Sequence, residues 1–317
     1  MAGSPPAPAS ILALSDTRAG VRNAALGLAE AIAARLGVEA AHFALPRAKG
    51  LLQRRPPLPE AAPTIAVGAG RAAQGALVAL GRRGAKTVYV QDPRRAYRRF
   101  DLVVAPAHDR VGERVGVPNL VETIGGPNRI TPVRLLAARR EWRSLAELPS
   151  PRAGVLVGGP SGRQGFTAEV LARHTRAFAD VLLHGGSLLV TTSRRTPGTV
   201  RDGLERLAER HPGRVWVWDG SGANPYLGLL AHAELVLVTE ESSNMLCEAC
   251  ATAKPVFRLP MAGRPGKFIR LYAQLAERCH VRPWDGKLEA EPYIPLQETR
   301  RAAKIVVERL GLERLAL

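Results

Sequence analysis

The sequence predicts an α/β protein made of two Rossmann-like βα domains that face each other across a cleft. Short β-branched runs alternate with helical stretches rich in Ala, Leu and Arg along the whole 317-residue chain. This alternation is typical of parallel sheets that helices cover on both faces. It pauses once, at 144–152, where two prolines and several polar residues indicate a linker. We therefore expect one domain on each side of that linker.

The predicted elements divide into a domain at 1–147, a domain at 148–295 and a helical tail at 296–317. In the first domain, β-branched runs predict strands at 11–14, 38–43, 64–67, 87–91, 102–105 and 120–124, with helices at 23–36 and 71–80 among those between them. In the second domain, similar runs predict strands at 155–157, 187–191, 215–218, 235–238 and 256–259. We expect the tail to cross back and pack on the first domain.

The chain is strongly basic, with a formal net charge of +17, and the excess is concentrated in its first half. Residues 1–145 carry 22 Lys and Arg against 10 Asp and Glu, whereas residues 146–317 carry 23 against 18. The densest cluster contains Arg94, Arg95, Arg98 and Arg99, which share one face if the segment is helical. A solvated surface is the simplest interpretation, ahead of an anionic membrane or acceptor. Nucleic acid is the least favoured partner, because no aromatic-rich binding motif accompanies the charge.

Composition indicates a soluble, cytoplasmic protein whose basic half could contact the inner face of the membrane. Hydrophobic residues make up 46% of the chain, and no apolar run approaches the length of a membrane span. The first ten residues are rich in Pro and Ala and lack the features of a secretory signal. The three cysteines, Cys247, Cys250 and Cys279, are too few for a disulfide framework or a zinc site, so we expect no metal.

A phosphate-binding helix start is predicted at 239–250, directly after the apolar run 234–238. The apolar run is typical of a buried strand, and Ser242 and Ser243 then open a helix. Backbone N–H groups at a helix start have no partner within the helix and favour an anion such as phosphate. Glu248 follows about two turns later. We expect it to bind a sugar hydroxyl beside that phosphate.

Three more strand ends in the second domain carry polar segments of the same kind. They supply the candidate ligands Gly158, Gly159, Ser161, Ser193, Arg194, Arg195 and Asn224. Glycines let the backbone approach a phosphate closely, and the arginine guanidinium matches phosphate geometry. Each segment alone also fits a tight turn or a capped helix. Since ligands bind outside the carboxyl ends of strands in such sheets, the four together predict a nucleotide-diphosphate pocket, and it lacks the lysine of ATP-hydrolysing loops.

A His–Asp pair follows the predicted strand at 102–105 in the first domain. His108 could act as a general base, with Asp109 orienting it or contacting the acceptor. A loop histidine without a catalytic role is the alternative.

A dinucleotide fingerprint supports a different function. The run 64–73 contains Gly68 and Gly70 in the spacing G-x-G-x-x-A, and Asp92 near the end of the next strand could bind a ribose. The motif follows the third strand of its domain instead of the first, and it leaves the second domain's pocket unexplained. An NAD(P)-dependent enzyme therefore remains an alternative interpretation.

Several of these segments together resemble the mitochondrial fission (elongated mitochondria) family, which has plant members and many bacterial relatives. The resemblance rests on the runs DTRAG (16–20), QDP (91–93), APAHD (105–109), GGPS (158–161), TSRRTP (192–197), NPY (224–226) and TEESSNMLCE (239–248). These motifs occur in the expected order and cover nearly the whole chain, as in a bacterial-type member.

The second domain also resembles the donor half of GT-B glycosyltransferases that act on lipid-linked acceptors. In those enzymes a small-residue turn and a helix start hold the diphosphate, and a glutamate in that helix holds the ribose. Ser242, Ser243 and Glu248 match those places. The resemblance implies a GT-B-like fold and a metal-independent, inverting transfer from a nucleotide-sugar, UDP-linked, to an anionic or lipid-linked acceptor. A catalytically silent GT-B-like scaffold that docks on membranes or protein partners is the alternative.

Overall fold

The structure of the protein, a computed structural model, describes residues 10–46, 58–114, 116–162 and 164–313. Residues 1–9 of the predicted first domain and 314–317 of the predicted tail lie outside this part. The chain forms two compact units. Unit 1 contains Met1–Arg129 and Gln297–Leu317, and unit 2 contains Ile130–Leu296. Each unit has one six-stranded parallel sheet, so the predicted α/β class is confirmed.

Unit 1 has the strand order β2-β1-β3-β4-β5-β6. Its elements are β1 (Ile11–Ser15), α1 (Ala19–Leu36), β2 (Ala40–Ala44), β3 (Ile65–Ala69), α2 (Arg71–Gly81), β4 (Lys86–Val90), β5 (Leu102–Pro106), α3 (Val111–Arg114) and β6 (Leu120–Thr123), together with a last helix, Glu298–Arg309. All six strands predicted from the β-branched runs are present. Strands β1, β3 and β5 are buried along their whole length, because helices cover both faces of the sheet.

Unit 2 has the strand order β10-β9-β7-β11-β12-β14. Its elements are α4 (Pro132–Glu141), β7 (Arg152–Val157), β8 (Gln164–Gly165), α5 (Ala168–Leu183), β9 (Ser187–Thr192), α6 (Gly198–Arg210), β10 (Val215–Val217), α7 (Tyr226–His232), β11 (Leu235–Thr239), α8 (Ser243–Cys250), β12 (Val256–Leu259), β13 (Ala262–Gly263), α9 (Phe268–Cys279) and β14 (Arg282–Pro283). The helix Glu298–Arg309 of unit 1 is α10. The five predicted strands of this half are all present.

Helix α10 packs on α1 within unit 1, although it lies about 260 residues later in the sequence. Ala302, Ala303 and Val306 enter the same core as the buried face of α1. The Glu298 carboxylate accepts a hydrogen bond from the Ile124 amide at 2.7 Å, which fixes the start of α10 beside the end of β6. Helix α10 therefore forms part of the core of unit 1.

Unit 2 begins at Ile130, earlier than the linker at 144–152, because α4 packs on α7. The Arg139 guanidinium donates to the Ala231 carbonyl at 3.1 Å, and the Arg139 carbonyl lies 3.0 Å from His232 Nε2. Two small additions were not predicted. The edge strand β14 extends the sheet, and β8 pairs with β13 in a two-stranded antiparallel sheet.

The arginine cluster at 94–99 is not an α-helix. Tyr97–Arg99 forms a single 3₁₀ turn, and Arg94 has a positive φ of 65°. The buried side chains of Tyr97 and Phe100 anchor the loop, so all four arginines remain exposed. Among the described residues, no helix combines the length and apolar character needed to cross a membrane.

Gly27 in α1 passes very close to the backbone of Asn128. A β-carbon on Gly27 would lie 2.7 Å from the Asn128 carbonyl carbon. We expect Gly27→Ala to lower the free energy of unfolding of unit 1 by about 1–3 kcal/mol, because the helix must shift away from that carbonyl. Urea denaturation followed by circular dichroism measures the change.

Gly75 in α2 provides the matched control. A β-carbon there meets no atom of the described chain within 4 Å. Gly75→Ala should therefore be neutral or stabilising by up to about 1 kcal/mol, since alanine favours a helix interior over glycine. Equal destabilisation by the two substitutions would contradict the close contact at Gly27.

Candidate functional site

The polar turns of unit 2 converge because its strands are parallel neighbours. Strand β7 lies between β9 and β11, and β12 follows β11. The carboxyl ends of these four strands therefore share one edge of the sheet, where ligands of open α/β sheets bind. The predicted segments at 158–161, 193–196 and 239–248 all begin at this edge.

Gly158 and Gly159 bring the ends of β9 and β11 into contact with the end of β7. The Gly158 amide donates to Thr239 Oγ1 at 2.7 Å, and the Gly159 amide donates to Glu241 Oε1 at 2.9 Å. A β-carbon on Gly158 would lie 2.9 Å from the Glu241 carboxyl carbon, and one on Gly159 would lie 2.6 Å from Arg195 Cβ. Only glycine fits at either position. The backbone of these two glycines was expected to approach a phosphate closely. In the structure it closely approaches side chains of the protein itself.

Thr196 organises the turn after β9. Its hydroxyl donates to the Gly158 carbonyl at 2.6 Å and accepts from the Ser193 amide at 2.9 Å. Ser193 Oγ accepts from the Arg195 amide at 3.1 Å, so this serine is part of the turn. Arg194 and Arg195 are exposed, and the Arg195 guanidinium donates to the Pro160 carbonyl at 3.1 Å. The turn presents both arginines at the sheet edge.

Ser161 lies in a short reversal of the chain before β8. Its amide and carbonyl pair with the carbonyl and amide of Gln164, both at 3.0 Å. The side-chain amide nitrogen Nε2 of the buried Gln164 donates to Glu240 Oε1 at 3.2 Å. Ser161 is half-buried beside the site and is held by its backbone.

The start of α8 follows directly after β11. The Ser242 side chain makes no capping hydrogen bond to the helix, so its hydroxyl does not satisfy the first amides of α8. Glu240 fixes this junction. Its carboxylate accepts from the Arg258 guanidinium at 2.7 Å and from the Met261 amide at 3.1 Å. Ser243 is half-buried at the first position of the helix. The amides at this junction carry the positive end of the helix dipole.

Glu248 lies on α8 beside α7, where Tyr226 Oη donates to Glu248 Oε2 at 2.5 Å. Burial raises the pKa of the Glu248 carboxyl to about 7, and the tyrosine hydrogen bond partly offsets that rise. Burial and the nearby glutamate raise the pKa of Tyr226 well above its usual range. Tyr226 therefore stays neutral and donates, which leaves Glu248 Oε1 for a further partner.

Glu241 is the site residue that the sequence analysis missed. Its side chain is 2% exposed, and burial raises the pKa of its carboxyl to about 7 although Thr239, the Gly159 amide and Arg195 lower it. A charged residue between an apolar strand and a helix start was the available signal. Its contact with Gly159 could not be inferred, because 82 residues separate the two in sequence.

Asn224 does not join this cluster through its side chain. Asn224 Oδ1 accepts from the Tyr226 amide at 3.0 Å and so shapes the turn into α7. The same turn places the Tyr226 ring beside Glu248. In the structure Asn224 makes a local contact, and its predicted role as a nucleotide ligand stays a prediction.

The predicted catalytic pair belongs to unit 1. His108 and Asp109 lie in a 3₁₀ turn after β5, with His108 Nε2 at 3.9 Å from Asp109 Oδ1. The His108 side chain is only 4% exposed. Both residues lie at the carboxyl edge of the unit 1 sheet, as expected.

The residues of the dinucleotide fingerprint make contacts with other residues of unit 1. The Asp92 carboxylate accepts from Tyr97 Oη at 2.6 Å and from the Arg94 amide at 2.7 Å. A β-carbon on Gly68 would lie 2.7 Å from a methyl carbon of Leu77, so this glycine permits α2 to pack on β3. Among the described residues, no group of three or more His, Cys, Asp and Glu side chains is arranged to hold a metal ion.

A family model for mitochondrial fission ELM1 matches residues 19–310. The chain belongs to the mitochondrial fission ELM1 family. It is 29% identical over 275 residues to mitochondrial fission protein ELM1 of Arabidopsis thaliana, covering 78% of this chain and 64% of that protein. It is 22% identical over 258 residues to an uncharacterized protein of Rickettsia prowazekii (strain Madrid E), covering 70% and 72%. This member thus spans less than two thirds of the length of its Arabidopsis relative.

The fold of this ELM1-family member is similar to that of two solved epimerases. The UDP-GlcNAc 2-epimerase of Methanocaldococcus jannaschii matches with a TM-score of 0.54 at 12% identity, over 94% of this chain and 99% of that chain. The UDP-GlcNAc 2-epimerase of Neisseria meningitidis, solved bound to UDP-GlcNAc, matches with a TM-score of 0.53 at 11% identity, over 96% and 100%. The predicted GT-B-like fold class is confirmed.

The stability of the protein should depend on pH through Glu248. Because its folded-state pKa of about 7 exceeds the ordinary 4.5, the folded chain keeps a proton that the unfolded chain releases between these values. The stability from this proton is complete below about pH 4.5 and is lost as the pH rises to about 7. Glu248→Gln removes the titration. Relative to wild type, its free energy of unfolding should increase by up to roughly 3 kcal/mol over that range.

Urea denaturation at a series of pH values measures this difference. Glu205→Gln, on the exposed side of α6, is the control and should show no comparable trend. If the Glu248→Gln difference is equally flat, the buried carboxyl does not titrate near neutral pH.

Proposed function

We propose that unit 2 binds a nucleotide-diphosphate-sugar, UDP-linked, and that the protein transfers the sugar to an anionic or membrane-associated acceptor without a metal ion. The observation that carries this proposal is the arrangement of helix α8. Its first turn lacks a side-chain cap, and a hydrogen bond from the Gly159 amide to Glu241 links the start of the helix to the Gly158–Gly159 turn. Glu248 lies further along the same helix, where Tyr226 binds its Oε2. At about 1.5 Å per residue, Glu248 is about 8 Å beyond Ser243, which suits a ribose next to a diphosphate.

The roles of the individual groups follow from their chemistry. The amides at the start of α8 and the exposed guanidinium groups of Arg194 and Arg195 would stabilise the negative charge of the departing diphosphate. Glu248 Oε1 would accept a hydrogen bond from a ribose hydroxyl, while Tyr226 orients that carboxyl. The similarity in fold to an epimerase solved with UDP-GlcNAc supports a UDP-linked donor. His108 is the candidate base for the acceptor, with Asp109 beside it.

Thermal unfolding against UDP, UDP-sugars, GDP, ADP, CMP-sugars and NAD(P) tests the donor. A ligand that binds only the folded protein must raise the melting temperature. We expect a rise with UDP and a UDP-sugar. Glu248→Ala should weaken this binding roughly 10–100-fold, because it leaves the ribose hydroxyl without its hydrogen-bond acceptor.

Two variants make the result specific. Tyr226→Phe retains the Glu248 carboxylate and should lose less affinity than Glu248→Ala, and Glu205→Ala should lose none. A rise in melting temperature with NAD(P) alone would instead assign the binding site to Gly68 and Gly70 in unit 1. Unchanged UDP-sugar affinity in Glu248→Ala would remove the ribose assignment.

The exposed arginine loop favours a second candidate function, a catalytically silent scaffold that docks on an anionic membrane. Arg94, Arg95, Arg98 and Arg99 project from a loop that Asp92 and the buried Tyr97 hold in place. Basic residues near an anionic lipid surface each contribute about 1 kcal/mol of attraction. A fixed group of four therefore suits either membrane docking or an anionic acceptor.

Substitution of these four arginines by glutamine should reduce binding to phosphatidylserine-containing vesicles at least tenfold in a sedimentation assay. The matched control replaces four other exposed arginines: Arg176, Arg210, Arg278 and Arg300. The scaffold predicts vesicle binding that survives His108→Ala and Glu248→Ala. The transferase predicts that His108→Ala abolishes turnover and that Glu248→Ala lowers it. Equal vesicle binding by wild type and both arginine variants would exclude a docking role for the loop.

A further inference from the structure

The Glu241 carboxyl is built into the centre of the candidate donor site. It lies between the end of β7 and the start of α8 and is 2% exposed. Its Oε1 accepts the Gly159 amide hydrogen at 2.9 Å, and the absence of a side chain on Gly158 leaves room for the carboxyl group. Gly158 thus provides the space for the Glu241 carboxyl group, and the Gly159 amide provides its hydrogen bond.

The second carboxyl oxygen of Glu241, Oε2, has no hydrogen-bond donor of this kind. Oε2 is buried and makes no hydrogen bond to any described residue. Buried carboxyl oxygens are normally satisfied, so an exception at a strand end in an open α/β sheet points to a ligand. The neighbouring carboxyl, Glu240, differs, because Arg258, Gln164 and the Met261 amide bind its oxygens.

The surroundings of Glu241 are those of an anion site. The uncapped start of α8 follows one residue later, and Arg195 acts on the carboxyl from the turn after β9. Tyr272 on α9 also lies near Glu241. Burial raises the pKa of this tyrosine, and the charges of Glu240 and Glu241 raise it further. A carboxylate and a diphosphate cannot both use these groups without strong repulsion.

We propose that Glu241 is a specificity-determining residue of the donor site that acts as a neutral carboxylic acid, donating a hydrogen bond from Oε2 to the bound diphosphate. This inference rests on the proposed nucleotide-sugar function. The bound state then contains one proton more than the free protein at alkaline pH, and the solvent supplies it. No covalent bond changes in this step. The Gly159 amide, which holds Oε1, keeps the acid directed at the phosphate.

The position of the Glu241 titration supports this role. Because burial raises its pKa to about 7, the acid form is well populated under neutral conditions. An adjacent diphosphate would raise this pKa further, so binding takes up a proton above neutral pH. Affinity for the donor must therefore fall as the pH rises through about 7, and the loss should stop when Glu241 cannot ionise.

The test uses full-length protein and UDP-N-acetylglucosamine in isothermal titration calorimetry. A UDP-sugar is preferable to UDP, because a terminal phosphate itself titrates near neutral pH. Between about pH 6 and about pH 8.5, wild-type affinity should fall roughly tenfold or more. Glu241→Gln mimics the acid form through its amide N–H. Its affinity should change less with pH and should exceed that of wild type at the higher pH.

Two comparisons isolate Glu241 from other groups. Glu248 also titrates near neutral pH, so the result is the difference in pH dependence between wild type and Glu241→Gln. Glu205→Gln, an exposed substitution on α6, should behave as wild type. Titrations in buffers of different ionisation enthalpy measure proton uptake directly. Wild type should take up more protons than Glu241→Gln at about pH 8, by roughly one per ligand.

The outcomes separate the two proposals. If wild type and Glu241→Gln bind with the same pH dependence and proton uptake, Glu241 does not act as an acid, and the donor site itself stands. If wild type does not bind the UDP-sugar at any pH, the proposed function fails and this inference fails with it. Should Glu241→Gln not fold, absence of proton uptake by wild type would still overturn the inference.

Discussion

The glycine pair that ends β7 is the constraint on which the rest of the unit 2 site depends. Gly158 and Gly159 let the turns after β9 and β11 meet over the central strand, and Thr196 and Thr239 tie those turns to the glycine backbone. A side chain at either glycine would overlap Glu241 or Arg195. A larger residue at Gly158 would therefore meet the turn after β11, and one at Gly159 would meet the turn after β9.

The same constraint sets the electrostatics of the site. The close approach buries Glu241 against backbone, and a hydrogen bond from Tyr226 holds the half-buried Glu248. Desolvation raises both carboxyl pKa values to about 7, whereas Glu240, one residue before Glu241, lies in an ion pair with Arg258. The two adjacent glutamates thus differ in their contacts, because Glu240 forms an ion pair with Arg258 and Glu241 accepts a hydrogen bond from the Gly159 amide. The proposed donor chemistry draws on that difference.

The two units of this ELM1-family member are built by the same rule but present different groups. In unit 2, β11 leads into Glu241, whose buried Oε2 has no hydrogen bond to a described residue, and into a helix start without a side-chain cap. In unit 1, Asp16 accepts a hydrogen bond from Arg18 and Asp92 accepts one from Tyr97, each within its own loop. The exposed arginines of unit 1 lie on such a loop. Fold similarity alone therefore does not assign a function to either unit.

The sequence by itself determined the alternation of strands and helices, all eleven main strands and the polar segments at their ends, because β-branched runs and turn residues act locally. It also determined Glu248 as a candidate ligand. Only the tertiary structure decided that Tyr226 donates a hydrogen bond to Glu248 and that Glu241 accepts one from the Gly159 amide. In a parallel sheet, neighbouring strand ends are far apart in sequence, so these contacts exist only once the strand order is fixed.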